Sequence, residues 1–87
     1  MKIATITSSG TECAAIETMR GYIRLDVLNE EKRTEWPLTV EKLISSGEGK
    51  NLARWYNAGG EKILANITRR MLVERDSAQI TGESAEF

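Results

Sequence analysis

The N-terminal part of the chain alternates polar and apolar residues with a period of two. β-Branched residues dominate residues 2–7, and a second run that suits a strand covers residues 13–19. Such alternation is typical of strands with one buried face. Turn-forming residues at 8–11 and the pair Arg20-Gly21 predict tight connections at the ends of these runs. The pattern therefore predicts two antiparallel strands at the start of the chain.

The clearest alternation lies in residues 21–28, where Ile23, Leu25 and Val27 share one face. The charged segment 29–32 then predicts a solvated hairpin loop, and residues 33–36 predict a returning strand that stops at Pro37. Three or four short strands in succession indicate an antiparallel meander with one face turned to the core.

After Pro37 the period changes to that of a helix. Thr39 is a predicted N-cap for a short helix through Ile44, after which SSGEG interrupts. From Lys50 onward apolar positions recur every three or four residues and predict a helical stripe: Leu52, Trp55, Tyr56, Gly59, Ile63, Ile67 and Met71. At Gly59-Gly60 the stripe allows one long helix with a glycine notch or two helices with a break. We favour the break, because each glycine costs roughly 1 kcal/mol relative to alanine in a helix interior.

These elements predict an α+β fold. A three- or four-stranded antiparallel meander is followed by two or three C-terminal helices, which pack on the sheet face that carries Ile23, Leu25 and Val27. Residues 1–76 are predicted to form a single domain. Residues 77–87 contain Ser, Gly and Glu with few apolar residues, and predict a flexible C-terminal tail.

The composition narrows the classes of function. The chain of 87 residues has a formal net charge of −1, so no global field draws it to nucleic acid or to a membrane surface. No apolar run resembles a signal peptide or a membrane span, which predicts a cytoplasmic protein without a membrane partner.

The chain contains no histidine and a single cysteine, Cys13. Histidine is the usual general base at neutral pH and the commonest metal ligand, so Ser-His-Asp and Cys-His catalysis are excluded within this chain. One cysteine forms neither an intramolecular disulfide nor a CxxC site, and Cys13 is expected to be a small buried side chain. The sequence thus predicts a protein that is not an enzyme and uses no metal or cofactor.

The stretch SSGEGKN, residues 45–51, invites comparison with a phosphate-binding loop. In the motif GxxxxGK[ST], aligned on Gly49-Lys50, the first glycine falls on Ile44 and the hydroxyl residue falls on Asn51. Neither Ile44 nor Asn51 is the residue that the motif requires at its position. The stretch instead predicts a helix end followed by the start of the next helix, a place where anions are nevertheless attracted.

Basic charge concentrates in residues 50–75, which hold six basic and two acidic side chains. At 100° per residue, Lys50, Arg54, Lys62 and Arg69 fall opposite the apolar stripe and predict a basic ridge, with Arg70 beside it. Such a ridge suits contact with nucleic-acid phosphates, with Trp55 or Tyr56 stacking on a base. The alternative is a solvated helix face whose aromatic residues belong to the core.

A meander of strands followed by helices, ending in LARWYNAGGEKILANITRRM, resembles the small phage-encoded anti-CRISPR inhibitors in size, element order and aromatic–glycine–helix pattern. The resemblance implies a non-enzymatic protein that covers a surface of a larger nucleoprotein complex.

Two hypotheses follow. In the first, the chain is a protein-binding regulator or inhibitor that acts by surface complementarity, with Tyr22, Arg24 and Trp36 as anchors on the sheet side and Arg69 and Arg70 on the helix side. In the second, the chain binds nucleic acid through the basic ridge. A homodimer formed through the helix stripe is compatible with both.

Overall fold

The computed structural model describes residues 1–87 and has an α+β architecture. Its strands are β1 (Lys2–Ser8), β2 (Thr11–Thr18), β3 (Gly21–Arg24) and β4 (Gln79–Glu86). Between β3 and β4 lie the helices α1 (Leu25–Lys32), α2 (Val40–Ser45), α3 (Glu48–Trp55) and α4 (Glu61–Ala65), with a π-helical turn at Tyr56–Gly60 and a 3-10 turn at Arg69–Met71. All four strands form one antiparallel sheet in the order β3-β2-β1-β4. The predicted meander of the first three strands is confirmed.

Strand β3 is shorter than predicted, because the chain becomes helical at Leu25. The predicted strand over residues 25–28 and the predicted hairpin loop at 29–32 are therefore wrong. Leu25 and Leu28, three residues apart, are both fully buried, whereas Val27 is only half-buried. Residues three apart lie on the same face of a helix, so both leucines point to the core. In the first turn of α1, the Asp26 carboxylate accepts a hydrogen bond from the Val27 backbone N–H at 2.8 Å.

The predicted strand at residues 33–36 is also wrong. The Asn29 side chain on α1 satisfies this segment: its amide donates to the Trp36 carbonyl at 2.9 Å and its oxygen accepts from the Trp36 N–H at 2.9 Å. The same oxygen accepts from the Thr34 hydroxyl at 2.8 Å. Because the Asn29 side chain forms hydrogen bonds with these polar groups, the segment needs no neighbouring strand to pair with them.

Helix α2 begins after the predicted cap. The Thr39 hydroxyl oxygen accepts a hydrogen bond from the Lys42 backbone N–H at 3.1 Å. The Ser46 hydroxyl and Gly47, in the left-handed region with φ 78°, then turn the chain into α3. The interpretation of SSGEGKN as a helix end followed by a helix start is confirmed.

Thr39→Ala is expected to lower the free energy of unfolding by about 1 kcal/mol, because it leaves an N–H at the first turn of α2 without its acceptor. Ser45→Ala on the same helix is the matched control, since its exposed hydroxyl makes only a 3.5 Å contact with the Lys42 carbonyl. Urea denaturation followed by circular dichroism measures both. Equal losses for the two variants would contradict the capping role.

The predicted helix break at the glycine pair is confirmed. Gly59 has φ 134°, outside the helical region, and α3 and α4 meet there at a kink. Gly60 contributes in a different way, since a Cβ on it would lie 2.6 Å from the Trp55 ring. Gly59 thus supplies a backbone conformation that other residues rarely adopt, and Gly60 leaves room for the Trp55 ring.

The segment predicted as a flexible tail, residues 77–87, instead forms β4 along β1. Lys2 lies opposite Glu86 and Ile6 opposite Ile80. The Phe87 N–H donates to the Met1 carbonyl at 2.9 Å, and the Phe87 ring packs against Gly49 of α3. A strand therefore ends the chain, so the predicted layout with helices at the C-terminus is only partly matched.

The helices cover one face of the sheet. Ile3, Ile16 and Ile23 from the strands pack there with buried leucines of the helices: Leu25, Leu28, Leu43, Leu52 and Leu64. Cys13 belongs to the same core as expected, and burial raises the pKa of its thiol. The opposite face carries a smaller cluster of Ala4, Ile6, Ala15 and Tyr22, partly covered by Val73 and Ala78. Strand β4 contributes no buried residue to either cluster and lies at the edge of the sheet.

Candidate protein-interaction surface

The sheet edge on the β3 side is covered by residues of the chain itself. Tyr22 and Val73 exchange two backbone hydrogen bonds of 2.8 Å, forming an isolated bridge. Farther along, where β2 extends beyond β3, the Ala14 N–H donates to the Leu38 carbonyl at 2.8 Å. A sheet edge paired in this way offers little unpaired backbone to another chain.

Strand β4 forms the other edge of the sheet, and β1 is its only strand neighbour. No backbone hydrogen bond joins β4 to a segment other than β1. All its side chains except that of Ala85 are exposed, including Glu83 and Glu86. Because an edge strand presents a row of unpaired N–H and C=O groups, the outer side of β4 is available for pairing with an added strand.

A bulge near the middle of β4 bends this edge. The register shifts between Ala4 and Ile6, so residues 81–83 face the single residue Thr5. The Thr5 hydroxyl donates to the Glu83 carbonyl at 2.8 Å, and a Cβ on Gly82 would lie 2.9 Å from Thr5 Cγ2. The Thr81 hydroxyl donates to Glu12 of β2 at 2.7 Å. These contacts fix the bulge, which divides the ladder with β1 into two short pieces, residues 79–80 and residues 84–86.

The longer piece of β4, residues 84–86, adjoins a depression of about 300 Å³. Apolar atoms of Ala4, Tyr22 and Ile80 line it, and its charged rim contains Lys2, Glu17 and Glu86. Ile80 is 58% exposed although it lies in a strand. The depression lies over the sheet face, from β4 across to Tyr22 of β3. Strand addition at the β4 edge would use main-chain hydrogen bonds, and the depression offers a place for a side chain that reaches over the sheet.

The sheet-side residues predicted as anchors do not form one exposed patch. Tyr22 is 5% exposed and belongs to the outer-face cluster. The Arg24 guanidinium pairs with Asp26, which holds the pKa of Arg24 further above its usual range. Trp36 packs against the helix-side core, and its buried indole Nε1 has no hydrogen-bond partner. The contacts of these residues are therefore mainly within the fold.

The basic residues predicted on the helix side are all exposed: Lys50, Arg54, Lys62, Arg69 and Arg70. They do not lie on one straight helical ridge. The kink at Gly59 interrupts the helical phase, and α4 ends at Ala65, before the two arginines. Arg69 pairs with Glu74 at 3.3 Å. The basic groups are thus spread over three elements.

Comparisons with known proteins add no family to this description, since no protein-family model, no curated protein and no solved structure matches the chain. No helix of the structure has both the length and the apolar character that crossing a membrane requires. No group of three or more His, Cys, Asp or Glu side chains is placed to hold a metal ion.

Sequence reasoning missed the β4 edge and its exposed residue Ile80. The only signal was the short run Gln79-Ile80-Thr81, which contains two β-branched residues. No alternation marked the strand, because nearly every position of β4 is exposed. The pairing with β1 creates the strand, and that contact spans almost the whole chain.

Proposed function

We propose that the chain is a non-enzymatic protein-binding regulator that accepts an extended segment of a partner protein along β4. The observation that carries this proposal is the uncovered edge of β4, in a sheet whose opposite edge is closed by Val73 and Leu38. Strand addition of this kind draws affinity from main-chain hydrogen bonds. A regulator or inhibitor acting in this way occupies a surface of its target, as the resemblance to anti-CRISPR proteins implies.

The charges around β4 define the chemistry of the partner. Glu83 and Glu86 lie on the strand, Glu12 contacts it through Thr81, and Lys2 is the one cation opposite it. A segment that carries Lys or Arg complements this edge, whereas a second β4 edge would bring acidic residues together. The exposed Ile80 and the depression beside it add a place for an apolar side chain. We therefore infer an extended partner segment with alternating apolar and basic residues.

The proposal predicts that peptides selected from a random display library alternate apolar and basic residues, and that they shift the backbone amide resonances of β4 in NMR spectra. Ile80→Asp is expected to weaken binding at least about tenfold, because it places a charge in the apolar contact. Ile44→Asp is the matched control, since Ile44 on α2 is 57% exposed and Ile80 is 58% exposed.

Two results would contradict the proposal. Selected peptides that shift amides on α3 and α4 while leaving β4 unchanged would place the binding surface elsewhere. Equal weakening by Ile80→Asp and Ile44→Asp would show that the loss reflects added charge in general. Glu83→Lys extends the test, because reversing this charge is expected to weaken a basic peptide and to spare a neutral one.

Nucleic-acid binding is a second proposal, supported by the exposure of five basic side chains: Lys50, Arg54, Lys62, Arg69 and Arg70. If these residues contact phosphates, the affinity for single-stranded DNA is expected to fall steeply as salt rises from about 50 to 200 mM. Fluorescence anisotropy with a labelled oligonucleotide measures this, and Lys62→Ala is expected to weaken binding to any sequence. Absence of binding at low salt would eliminate the nucleic-acid proposal.

A further inference from the structure

Only some backbone groups of β4 point away from β1. Phe87 and Met1 exchange two backbone hydrogen bonds of 2.9 Å, one in each direction. In an antiparallel ladder, residue pairs that exchange both bonds alternate with pairs that exchange none. Two residues before Phe87, Ala85 is therefore bonded to β1, whereas Ser84 and Glu86 are not. The N–H and C=O groups of Ser84 and Glu86 face outward, where an added strand would lie.

The hairpin at the other end of β1 gives the same alternation. Ser9 and Gly10 both have positive φ, 51° and 78°, and form a two-residue loop closed by Ser8 and Thr11. The closing pair of such a loop is hydrogen-bonded, so Ser8 faces β2 and every second residue before it does the same. The residues between them, such as Ile3, face β4. Both ends of β1 thus agree on which groups of β4 are bonded to it.

The side chains of the two outward-bonding residues border the depression beside β4. Ser84 and Glu86 line it, and so do Ala4 and Lys2, which lie opposite them on β1. A residue of an added strand that lies opposite Ser84 or Glu86 would share this face of the sheet, because directly opposite residues point to the same side. The outward hydrogen bonds and the depression therefore act on the same two residues of a partner.

Charges on this face alternate across the sheet. Lys2 on β1 lies opposite Glu86, and the register of β1 with β2 places Glu17 on its other side. Glu17 is paired with Arg75 at 3.4 Å, whereas Glu86 makes no ion pair within the chain. Opposite charges on neighbouring strands stabilise a sheet, so a positive side chain on the added strand continues the alternation. The partner residue opposite Glu86 is therefore expected to be Lys or Arg.

The way from the edge into the depression passes over Ser84. Ala4 and Ile80 supply apolar surface there. Neighbouring strands lie about 4.8 Å apart, so an added strand would run roughly 10 Å from the backbone of Ala4. A large apolar side chain such as Phe, Leu or Met covers this distance, and the small, exposed Ser84 leaves room for it. The partner residue opposite Ser84 is therefore expected to be large and apolar.

We propose that β4 binds the motif basic–any residue–large apolar as an antiparallel strand, with the basic residue opposite Glu86 and the apolar residue opposite Ser84. An antiparallel partner runs from Glu86 toward Ser84, which sets the order of the two side chains. This orientation continues the antiparallel sheet and is slightly more stable per residue than parallel pairing. The inference rests on the proposed function and sharpens it, because basic and apolar residues then alternate along one face, at every second position.

Hydrogen exchange of the free chain, followed by NMR, tests the register without any partner. The amides of Ser84 and Glu86 are expected to exchange at least about tenfold faster than that of Ala85, which donates to β1. Protection of Ser84 equal to or above that of Ala85 would overturn the register and the motif with it.

Titration of the ¹⁵N-labelled chain with the capped synthetic peptide Thr-Thr-Arg-Thr-Phe-Thr-Thr tests the motif. This peptide is expected to shift the Ser84 and Glu86 amides and to protect them from exchange. Two control peptides have the same composition. Thr-Thr-Arg-Phe-Thr-Thr-Thr places the two side chains on opposite faces, and Thr-Thr-Phe-Thr-Arg-Thr-Thr reverses their order. Both are expected to bind at least about tenfold more weakly.

Backbone N-methylation of the peptide tests the hydrogen bonds themselves. In the proposed register, only the Arg and Phe residues turn their N–H groups toward β4. N-methylation of either is expected to weaken binding at least about tenfold, whereas N-methylation of the threonine between them is expected to have no effect.

Variants at Ser84 test the route into the depression. Ser84→Val places a branched side chain in the way and is expected to weaken the Arg-Thr-Phe peptide at least about tenfold. Ser84→Ala keeps the room and is the matched control, expected to bind like the wild type. Because Ser84 is exposed, both variants are expected to fold, which circular dichroism verifies.

The outcomes separate this inference from the proposed function. Tighter binding of either control peptide, loss of binding on N-methylation of the middle threonine, or unchanged affinity of Ser84→Val would overturn the motif and leave strand addition at β4 in place. Library-selected peptides that shift β4 amides without a basic and an apolar residue two positions apart would also overturn the motif alone. If no peptide, selected or synthetic, shifts the β4 amides, the proposed function falls and the motif with it.

Discussion

Deletion of residues 79–87 is expected to abolish cooperative folding of the chain. These residues form β4 and carry Phe87, whose ring packs against Gly49 and the helix-side core. Their loss turns β1 from a central strand into an edge strand and uncovers Ile3 and Ile6, which are buried in the intact fold. A chain of this size has roughly 4 to 13 kcal/mol of stability, at 0.05–0.15 kcal/mol per residue. Removal of a large aromatic side chain costs up to about 3–5 kcal/mol by itself.

Far-UV circular dichroism and a thermal melt of the shortened chain measure this effect. The control is the full-length chain with Glu83→Gln and Glu86→Gln, which keeps the strand and removes two of its charges. We expect the control to melt cooperatively, close to the wild type. If the shortened chain melts like the wild type instead, the segment contributes no strand to the sheet and behaves as the tail that its composition predicts.

Gly21→Ala is expected to cost about 3 kcal/mol or more of unfolding free energy, from backbone strain together with a steric clash. Gly21 has φ 135°, and a Cβ there would lie 2.6 Å from the Val73 carbonyl oxygen. Backbone atoms cannot move aside as the end of a side chain can. The substitution is therefore expected to separate Val73 from Tyr22 and open the covered edge of the sheet.

Gly59 provides a matched control for the backbone conformation. Its φ is 134°, nearly that of Gly21, but a Cβ there would meet nothing within 4 Å. Gly59→Ala is thus expected to cost only the strain, about 1–2 kcal/mol. The difference between the two variants in urea denaturation measures the clash, and hydrogen exchange of the Tyr22 and Val73 amides reports the bridge. Equal costs, with both amides still protected, would contradict the close packing of Val73 on Gly21.

Local signals predicted the elements whose residues interact with near neighbours. The alternation of β1 and β2, the Thr39 cap and the break at Gly59 all depend on contacts or conformations within a few residues. The segment from Leu25 was predicted as a strand from the alternation of Leu25 and Val27, although the spacing of Leu25 and Leu28 also fits a helix. Burial of Leu28 among distant residues of the core decides in favour of the helix.

The candidate surface depended on contacts that no local pattern encodes. Tyr22 looked like an exposed anchor in an alternating strand, but residues some fifty positions later cover it through Val73. Which sheet edge stays open is likewise decided by Val73 and Leu38, which cover the edge opposite β4.

The pairing of the first strand with the last has a mechanical consequence. Lys2 and Glu86 face each other at one end of the β1–β4 ladder, and Phe87 is hydrogen-bonded to Met1 beside them. Tension applied between residues 1 and 87 therefore breaks the residue pairs of the β1–β4 ladder one after another, starting at this end, and does not load the whole ladder in shear. Strand β4, whose deletion is expected to abolish folding, is thus expected to separate first when the chain is pulled from its ends.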